Sequence, residues 1–467
     1  MGNNYTSGSI GGTMLKTAVS MLPGTLAISG YNIADTYFVS QLGTNPLAAM
    51  GFTFPVIMLV NCIYRGLGVG VMTTVAHSLG GKKHRKAAGI TSSGLLMIII
   101  SAICLGCLGL SCIDWTFRQF GATPEIMPLI HDFMGIWYLG SLTIALGMTG
   151  NDLLIVAGTP KLASAMMLLG MGLNVCLDPI FIFDKFYGIP GFAMGIRGAA
   201  LATVLTQVIA AAGVLLILHF KHKLIRFDIL KPELLLKTWR LVLRFALPAT
   251  VGMLLMPIGN GIITWIVSNF GNAAVAGVAA AGRLEMVAFI FPMALGIAII
   301  PMVGQNYGAK QFTRIDSCRR FSMRFAFFFE LGMAVIFFIL APVLSSFFTD
   351  DPAVKEVMIA YLRIIPAAFG LTDIHRYGGF FFTGCNRPSV AAWLNALRIL
   401  CLLVPLSLLA LHFHSLNGLF AARLVSDIIA GGTAFCAATF LTHKLRREND
   451  LILKNSKKAP ESSPNPA

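Results

Sequence analysis

Twelve apolar runs of membrane-spanning length, separated by short polar loops, constrain this chain more than any other feature of its sequence. A spanning helix needs about 20 mostly apolar residues, and the bilayer core holds no water to satisfy stray backbone groups, so only helices or closed barrels cross it. The runs lie near 14–41, 47–75, 88–112, 126–157, 161–184 and 196–220, then near 243–270, 275–305, 321–348, 354–384, 389–412 and 417–441. Of 467 residues, 56% are hydrophobic and 12% charged, about half the charged share of a soluble domain. That balance excludes a soluble enzyme carrying a single anchor.

A net charge of +15 would point to nucleic acid in a soluble protein. Here the basic residues fall in alternate loops, as topology demands, and no nucleic-acid partner is expected. Lys82, Lys83, Arg85 and Lys86 mark one loop, Lys221, Lys223, Arg226, Lys231, Lys237 and Arg240 a second, and Lys310, Arg314, Arg319 and Arg320 a third. These are expected in the cytoplasm, with both termini, and a bacterial inner membrane suits the chain. No cleavable signal peptide is evident, because the first twelve residues are polar and the first apolar run is long. Nine cysteines lie mostly within apolar runs, so neither a disulfide framework nor a zinc site is expected.

The two sets of six runs repeat. One offset of 228 pairs Gly43 with Gly271, Gly68 with Gly296, Gly80 with Gly308, Phe120 with Phe348, Pro124 with Pro352 and Pro160 with Pro388. After an eight-residue excess in the first half, an offset of 220 pairs Gly198 with Gly418 and Ala210 with Ala430. Six spans is an even number, so both halves insert the same way round and an axis along the membrane normal relates them. The expected fold is an all-α integral membrane protein, twelve transmembrane helices in two pseudo-symmetric six-helix lobes forming a parallel repeat. Its parts are an N-terminal segment at 1–13, an N-lobe at 14–220, a basic linker at 221–242, a C-lobe at 243–441 and a disordered tail at 442–467. Such halves can rock about a central cleft.

Polar residues inside the runs are the candidate working parts. Asp35 is the one carboxylate of the first run, and an acid at that depth normally faces a cavity or a partner. Pro23, about three turns earlier, is a place for the helix to kink. Asn174 and Asp178 are four apart on the fifth run and share a helix face, with Pro179 loosening the backbone beside them.

Several segments resemble the multidrug and toxic compound extrusion (MATE) family, within the larger group that includes lipid-linked oligosaccharide flippases. They are Asp35-Thr36-Tyr37-Phe38-Val39 with Leu42-Gly43, Gly80-Gly81-Lys82, Ala157-Gly158-Thr159-Pro160-Lys161, Asn174 with Asp178-Pro179, and Gly195-Ile196-Arg197-Gly198-Ala199-Ala200-Leu201-Ala202-Thr203. Their order covers essentially the whole chain. The resemblance implies an antiporter that exports organic, often cationic, compounds in exchange for H+ or Na+, with no further cofactor. It also implies that Asp35, Asn174 and Asp178 line a first-half cavity. In one branch of the family the seventh span carries a coupling glutamate, but 243–270 holds no acid, which favours the branch that couples through its first half.

On that footing Asp35, Asn174 and Asp178 could supply oxygens to a hard cation such as Na+, or hold a proton as a coupled carboxyl pair, with Thr203 or Thr206 adding a hydroxyl. Asn151 and Asp152 either extend the cavity or make a packing hydrogen bond, and Arg65 could partner one of the acids. In the second half Arg283 and Glu285 are two apart and each needs another partner. Asp373, His375 and Arg376 form the densest intramembrane polar group, a site for substrate or gating or a self-neutralised pair at i, i+3. Arg423 and Asp427, at i, i+4, are expected to neutralise each other. The many Phe and Met residues suit an adaptable pocket, although most face lipid or core. The expected partners are small organic molecules and the bilayer, and the protein is expected to be a monomer. The alternative on the same fold is a flippase for a lipid-linked sugar or precursor. His77, His131 and His375 belong to no hydrolase motif, so an enzyme is not expected.

Overall fold

The computed structural model describes residues 5–186, 188–226 and 232–458, and it is built almost wholly of helices. The first half comprises α1 (Ile10–Ser40), α2 (Thr44–Gly80), α3 (His84–Ser111), a short α4 (Ile113–Gln119), α5 (Met127–Val156), α6 (Pro160–Ile182) and α7 (Ile196–Leu216). The second comprises α8 (Pro232–Ser268), α9 (Asn272–Ile297), α10 (Ile299–Gly308), α11 (Phe312–Phe348), α12 (Pro352–Ile364), α13 (Phe369–Gly384), α14 (Pro388–Ala396), α15 (Val404–His412) and α16 (Leu416–Lys458). A two-residue hairpin, β1 (Lys185–Phe186) with β2 (Ile189–Pro190), precedes α7. Eleven stretches among the described residues are long and apolar enough to span a bilayer. The twelfth span is α1, whose 31 residues reach about 46 Å at 1.5 Å per residue despite the polar Lys16, Asn32 and Asp35.

The repeat governs the backbone as well as the sequence. Helices α2 and α9, α3 and α11, and α6 and α14 begin 228 residues apart, and α7 and α16 begin 220 apart. The turns match in conformation: φ is +113° at Gly43 and +92° at Gly271, +56° at Lys82 and +58° at Lys310, and +85° at Gly158 against +64° at Asn386. Proline and broken helices distinguish the halves. The counterpart of α2 is split at Ala298 into α9 and α10, and a 3-10 turn containing Pro366 separates α12 from α13.

Three expected boundaries lie elsewhere in the structure. Helix α1 begins at Ile10, capped by Ser9 Oγ accepting from Gly12 N–H, and residue 5 is already packed. Helix α8 takes in the end of the basic linker, including Lys237 and Arg240, while Lys231 lies outside the described residues. The boundary at 441 falls inside α16, which continues to Lys458. Thr442 and Leu445 are buried there, and Arg446 Nη2 lies 2.6 Å from Asp316 Oδ2, so the helix has both an apolar face and an ion pair to extend along. Residues 459–467 lie outside the described set.

The lobes meet where the basic loops are, through a crossed pair of close approaches. A Cβ on Gly80 would lie 1.9 Å from the Gln305 carbonyl oxygen, and one on Gly308 would lie 2.0 Å from that of His77. The offset of 228 carries His77 to Gln305 and Gly80 to Gly308, so each contact is the image of the other. The hydrogen bonds repeat likewise: His77 Nε2 donates to the Gly384 carbonyl and Gln305 Nε2 to that of Val156, both at 2.7 Å. Tyr5, fully buried, crosses the same seam by donating its hydroxyl to the Ile155 carbonyl at 3.0 Å while its own carbonyl accepts from Asn306 Nδ2 at 2.9 Å. Arg314 holds the neighbouring backbone at Gly8 and Ser7.

Overpacking of a tight contact costs about 1–3 kcal/mol, whereas Gly to Ala on an open helical face gains up to about 1 kcal/mol. Gly80→Ala and Gly308→Ala should therefore each lower the thermal midpoint of the purified protein. Gly332→Ala, with nothing near its added carbon, should leave the midpoint level or raise it.

Candidate functional site

Three helices of the first lobe bring the sequence-derived residues together. Glycines let α1 lie close against α6, since a Cβ on Gly24 would come within 3.0 Å of Ser164 and one on Gly30 within 2.7 Å of the Met171 methyl. That approach places Asp35, 6% exposed, in the neighbourhood of Asp178 of α6. Asn174 and Asp178 are fully buried, and Asn174 Nδ2 donates to Asp178 Oδ1 at 3.1 Å, the one-turn contact their spacing anticipated. Thr203 enters from α7 and accepts a hydrogen bond from the Tyr31 hydroxyl at 2.9 Å. Thr206 instead closes onto the Thr203 carbonyl at 2.8 Å.

The chemistry of this group lies in what it leaves unbonded. Asp35 Oδ1, Asn174 Oδ1 and Asp178 Oδ2 are buried oxygens without a hydrogen-bond partner. Buried polar atoms are ordinarily satisfied, and three acceptors with no donor among them suit a positively charged guest. An all-oxygen set fits a hard cation such as Na+ and fits a proton shared between two carboxyls equally well. Tyr31 belongs to the group, being close to both Asp35 and Asp178. Sequence analysis missed it, although it stands one turn before Asp35 and so shares its helix face.

Pro23 lies inside α1, which continues through it as a helix. Asn151 and Asp152 sit on α5, and Asp152 faces α2: its Oδ2 would lie 3.5 Å from a Cβ on Gly68, and it is within electrostatic reach of Arg65. Among the described residues no hydrogen bond joins either to the Asp35 group.

The polar residues of the second lobe form a network that local spacing did not reveal. Arg423 does not simply neutralise Asp427. It binds Glu285 of α9 and donates to the Tyr361 hydroxyl at 2.6 Å, standing 3.9 Å from Asp427. Tyr361 in turn donates to Glu285. Asp427 is held by Arg398 at 2.6 Å and by the Thr372 hydroxyl at 3.0 Å. The reason is packing: α16 faces α13, the π-turn at Leu397–Leu403 that follows α14, and the turn around Ala368, so better-aligned partners displace the one a turn away. Asp373 and Arg376 do pair at i, i+3, at 3.1 Å, with the guanidinium over the Phe289 ring. His375 points elsewhere, to Asn395 Oδ1 at 3.0 Å. Glu330, the lone carboxylate between 321 and 348, was passed over in the sequence and lies fully buried in this lobe.

Comparison with known proteins agrees with this architecture. The MatE family model matches residues 22–180 and 248–409, one segment in each lobe. The FAD transporter of Shewanella oneidensis is 32% identical over 428 residues, covering 91% of this chain and 93% of the relative. Multidrug export protein MepA of Staphylococcus aureus is 24% identical over 451 residues, covering 94% and 96%. The crystal structure of the Vibrio cholerae MATE transporter VcmN in the bent form superposes with a TM-score of 0.87 at 26% identity, over 93% of this chain and 98% of that one. A transporter of the MOP superfamily from Pyrococcus furiosus superposes with a TM-score of 0.85 at 25% identity, over 95% and 98%. With a family match in both lobes and transporters along its whole length, the chain belongs to the MatE family of multi-pass membrane transporters and is not an enzyme.

Proposed function

We propose that this protein is a secondary antiporter that exports small organic compounds in exchange for H+ or Na+, with the ion taken up at Asp35, Asn174 and Asp178. The observation that carries the reading is the trio of buried, unbonded oxygens on those residues, with no basic side chain facing them among the described residues. Tyr31 and Thr203 orient the group. The absence of an acid between 243 and 270 supports coupling in the first lobe. In this reading the crossed contacts at Gly80 and Gly308 close the cytoplasmic side, both termini lie there, and the plasma membrane holds the protein as a monomer. Ion arrival at Asp35 alters the packing of the Pro23-containing α1 and releases substrate outward.

Two substrate classes follow from the relatives. The multidrug export protein MepA supports small organic drugs. The FAD transporter supports a dinucleotide anion, and so do Arg65 and Arg283, exposed arginines within spans α2 and α9. Asn151, Asp152, Glu285, Asp373 and Arg376 are secondary candidates for substrate contact or gating. A lipid-precursor flippase remains the alternative if neither class moves.

A tenfold gradient of the coupling ion supplies about 1.4 kcal/mol per ion exchanged. Proteoliposomes given an imposed tenfold proton or sodium gradient should concentrate a fluorescent organic cation or FAD about tenfold for each ion coupled. Asp35→Asn should let substrate equilibrate without accumulation, and Asp178→Asn should do the same. Transport driven equally well in Asp35→Asn would dismiss this site as the coupling centre. Lack of movement of either substrate under both gradients would dismiss the antiport reading and favour the flippase.

Tyr31→Phe removes one hydroxyl from the edge of the group and leaves both carboxyls in place. It should raise the half-saturating concentration of the driving ion by up to about tenfold, the upper worth of the neutral hydrogen bond that Tyr31 makes to Thr203. Unchanged ion dependence would remove Tyr31 from the site.

A further inference from the structure

Where α16 runs on past the apolar part of its span, it meets α11 in a charge cluster that the transport reading does not use. Asp316, near the start of α11, is 5% exposed and receives three guanidiniums. Arg319 donates to its Oδ1 from Nε at 3.1 Å and from Nη2 at 2.8 Å, while Arg320 and Arg446 lie 3.3 and 2.6 Å from its Oδ2. One carboxylate against three guanidiniums leaves two positive charges uncompensated. Glu448, close in sequence to Arg446, stands 4.0 Å from Lys444.

The three arginines are not alike. Arg319 is buried and fully engaged, with Nη1 donating to Thr439 Oγ1 at 2.8 Å and the guanidinium over the Phe435 ring, so it fastens α11 to α16. Arg320 and Arg446 keep their side chains 49% and 34% exposed. The Nε of Arg446 is nevertheless buried, with no hydrogen-bond partner among the described residues. Buried donors are ordinarily satisfied, so an acceptor is wanting at this point. Arg324, also exposed, stands one turn after Arg320, and Phe328 one turn further, so the three share a face of α11. Phe328 and, on α16, Phe440 are among the most exposed aromatic residues of the lobe. Charge thus gives way to bare aromatic surface within two turns, as at the level where lipid headgroups meet acyl chains. Positive-inside topology explains basic residues in loops, but not their convergence from two helices on one buried acid.

We propose that the groove between α11 and α16 binds the phosphodiester headgroup of an anionic phospholipid, with Arg320 and Arg446 at the phosphate, Arg324 beside them and an acyl chain along Phe328. Guanidinium forks match phosphate oxygens, and such an oxygen supplies the acceptor that Arg446 Nε lacks. The two uncompensated charges select a headgroup of net negative charge, such as phosphatidylglycerol, over a zwitterion whose amine they repel. The bound lipid bridges the two helices and holds the extension of α16 in place. Binding requires neither an ion gradient nor Asp35, so this site stands or falls apart from the antiport reading.

The test is native mass spectrometry of the full chain in detergent micelles with added phosphatidylglycerol or phosphatidylethanolamine, each with and without excess inorganic phosphate. The wild type should retain phosphatidylglycerol in preference to phosphatidylethanolamine, and inorganic phosphate should not displace it. Arg320→Gln and Arg324→Gln should each raise the phosphatidylglycerol concentration for half-occupancy about fivefold, the worth of one basic residue near an anionic leaflet. Both variants leave Arg319 and Arg446 on Asp316, so α16 stays docked. Lys83→Gln, an exposed residue of another basic loop, should leave that concentration unchanged. Equal retention of the two lipids, or an equal loss in Lys83→Gln, overturns the proposal. Displacement by inorganic phosphate assigns the cluster to a free anion and overturns the lipid. As a second readout, phosphatidylglycerol should raise the thermal midpoint of the wild type more than that of the double variant R320Q/R324Q, and equal rises overturn the site.

Discussion

A charge buried in a bilayer survives only if something of opposite sign stands beside it, because taking an ion out of water costs several kcal/mol even after relaxation. The two lobes answer that constraint differently. In the second lobe, Glu285, Asp427 and Asp373 are each met by an arginine, and the pairs run between helices: α9 to α16, α16 to the turn after α14, and within α13. Those bonds tie the broken helices of that lobe into one unit. In the first lobe, Asp35 and Asp178 have a neutral amide, a tyrosine and a threonine for company and, among the described residues, no arginine. In the proposed reading, such a group is a place for a mobile cation rather than an internal salt bridge.

The same repeat that divides the labour also makes the joint between the lobes. His77 and Gln305 occupy equivalent positions and donate to equivalent carbonyls, so the seam is closed by two copies of one contact. Hydrogen bonds of this kind contribute about 0.5–1.5 kcal/mol each. That is enough to favour one arrangement and small enough to be exchanged in a transport cycle. Glycine at 80 and 308 is what allows the backbones to come that close, and the residue at 5 fills the remaining gap with a buried aromatic ring.

Much of the architecture was legible because it depends on short-range rules. Spanning helices follow from run length, the parallel repeat from matched glycines and prolines, and the Asn174–Asp178 contact from one helical turn. Individual ends were harder. Helix α16 outruns its apolar stretch because Arg446 finds Asp316 on α11, and residues near Tyr5 are ordered by groups from both lobes. Neither partner is near in sequence.

The pairing of charges shows the division most clearly. The sequence alone determined that acids and arginines lie within the spans, that Asp35 is the only acid of the first, and that Asp373 can reach Arg376 along its own helix. Only the tertiary structure decided that Arg423 binds Glu285 and Tyr361 more closely than its neighbour Asp427, that Tyr31 joins Asp35, and that Glu330 lies buried without a hydrogen bond. Periodicity specifies which side chains share a face of one helix, whereas electrostatic partners are chosen among all faces in contact, and those contacts exist only once the helices are packed.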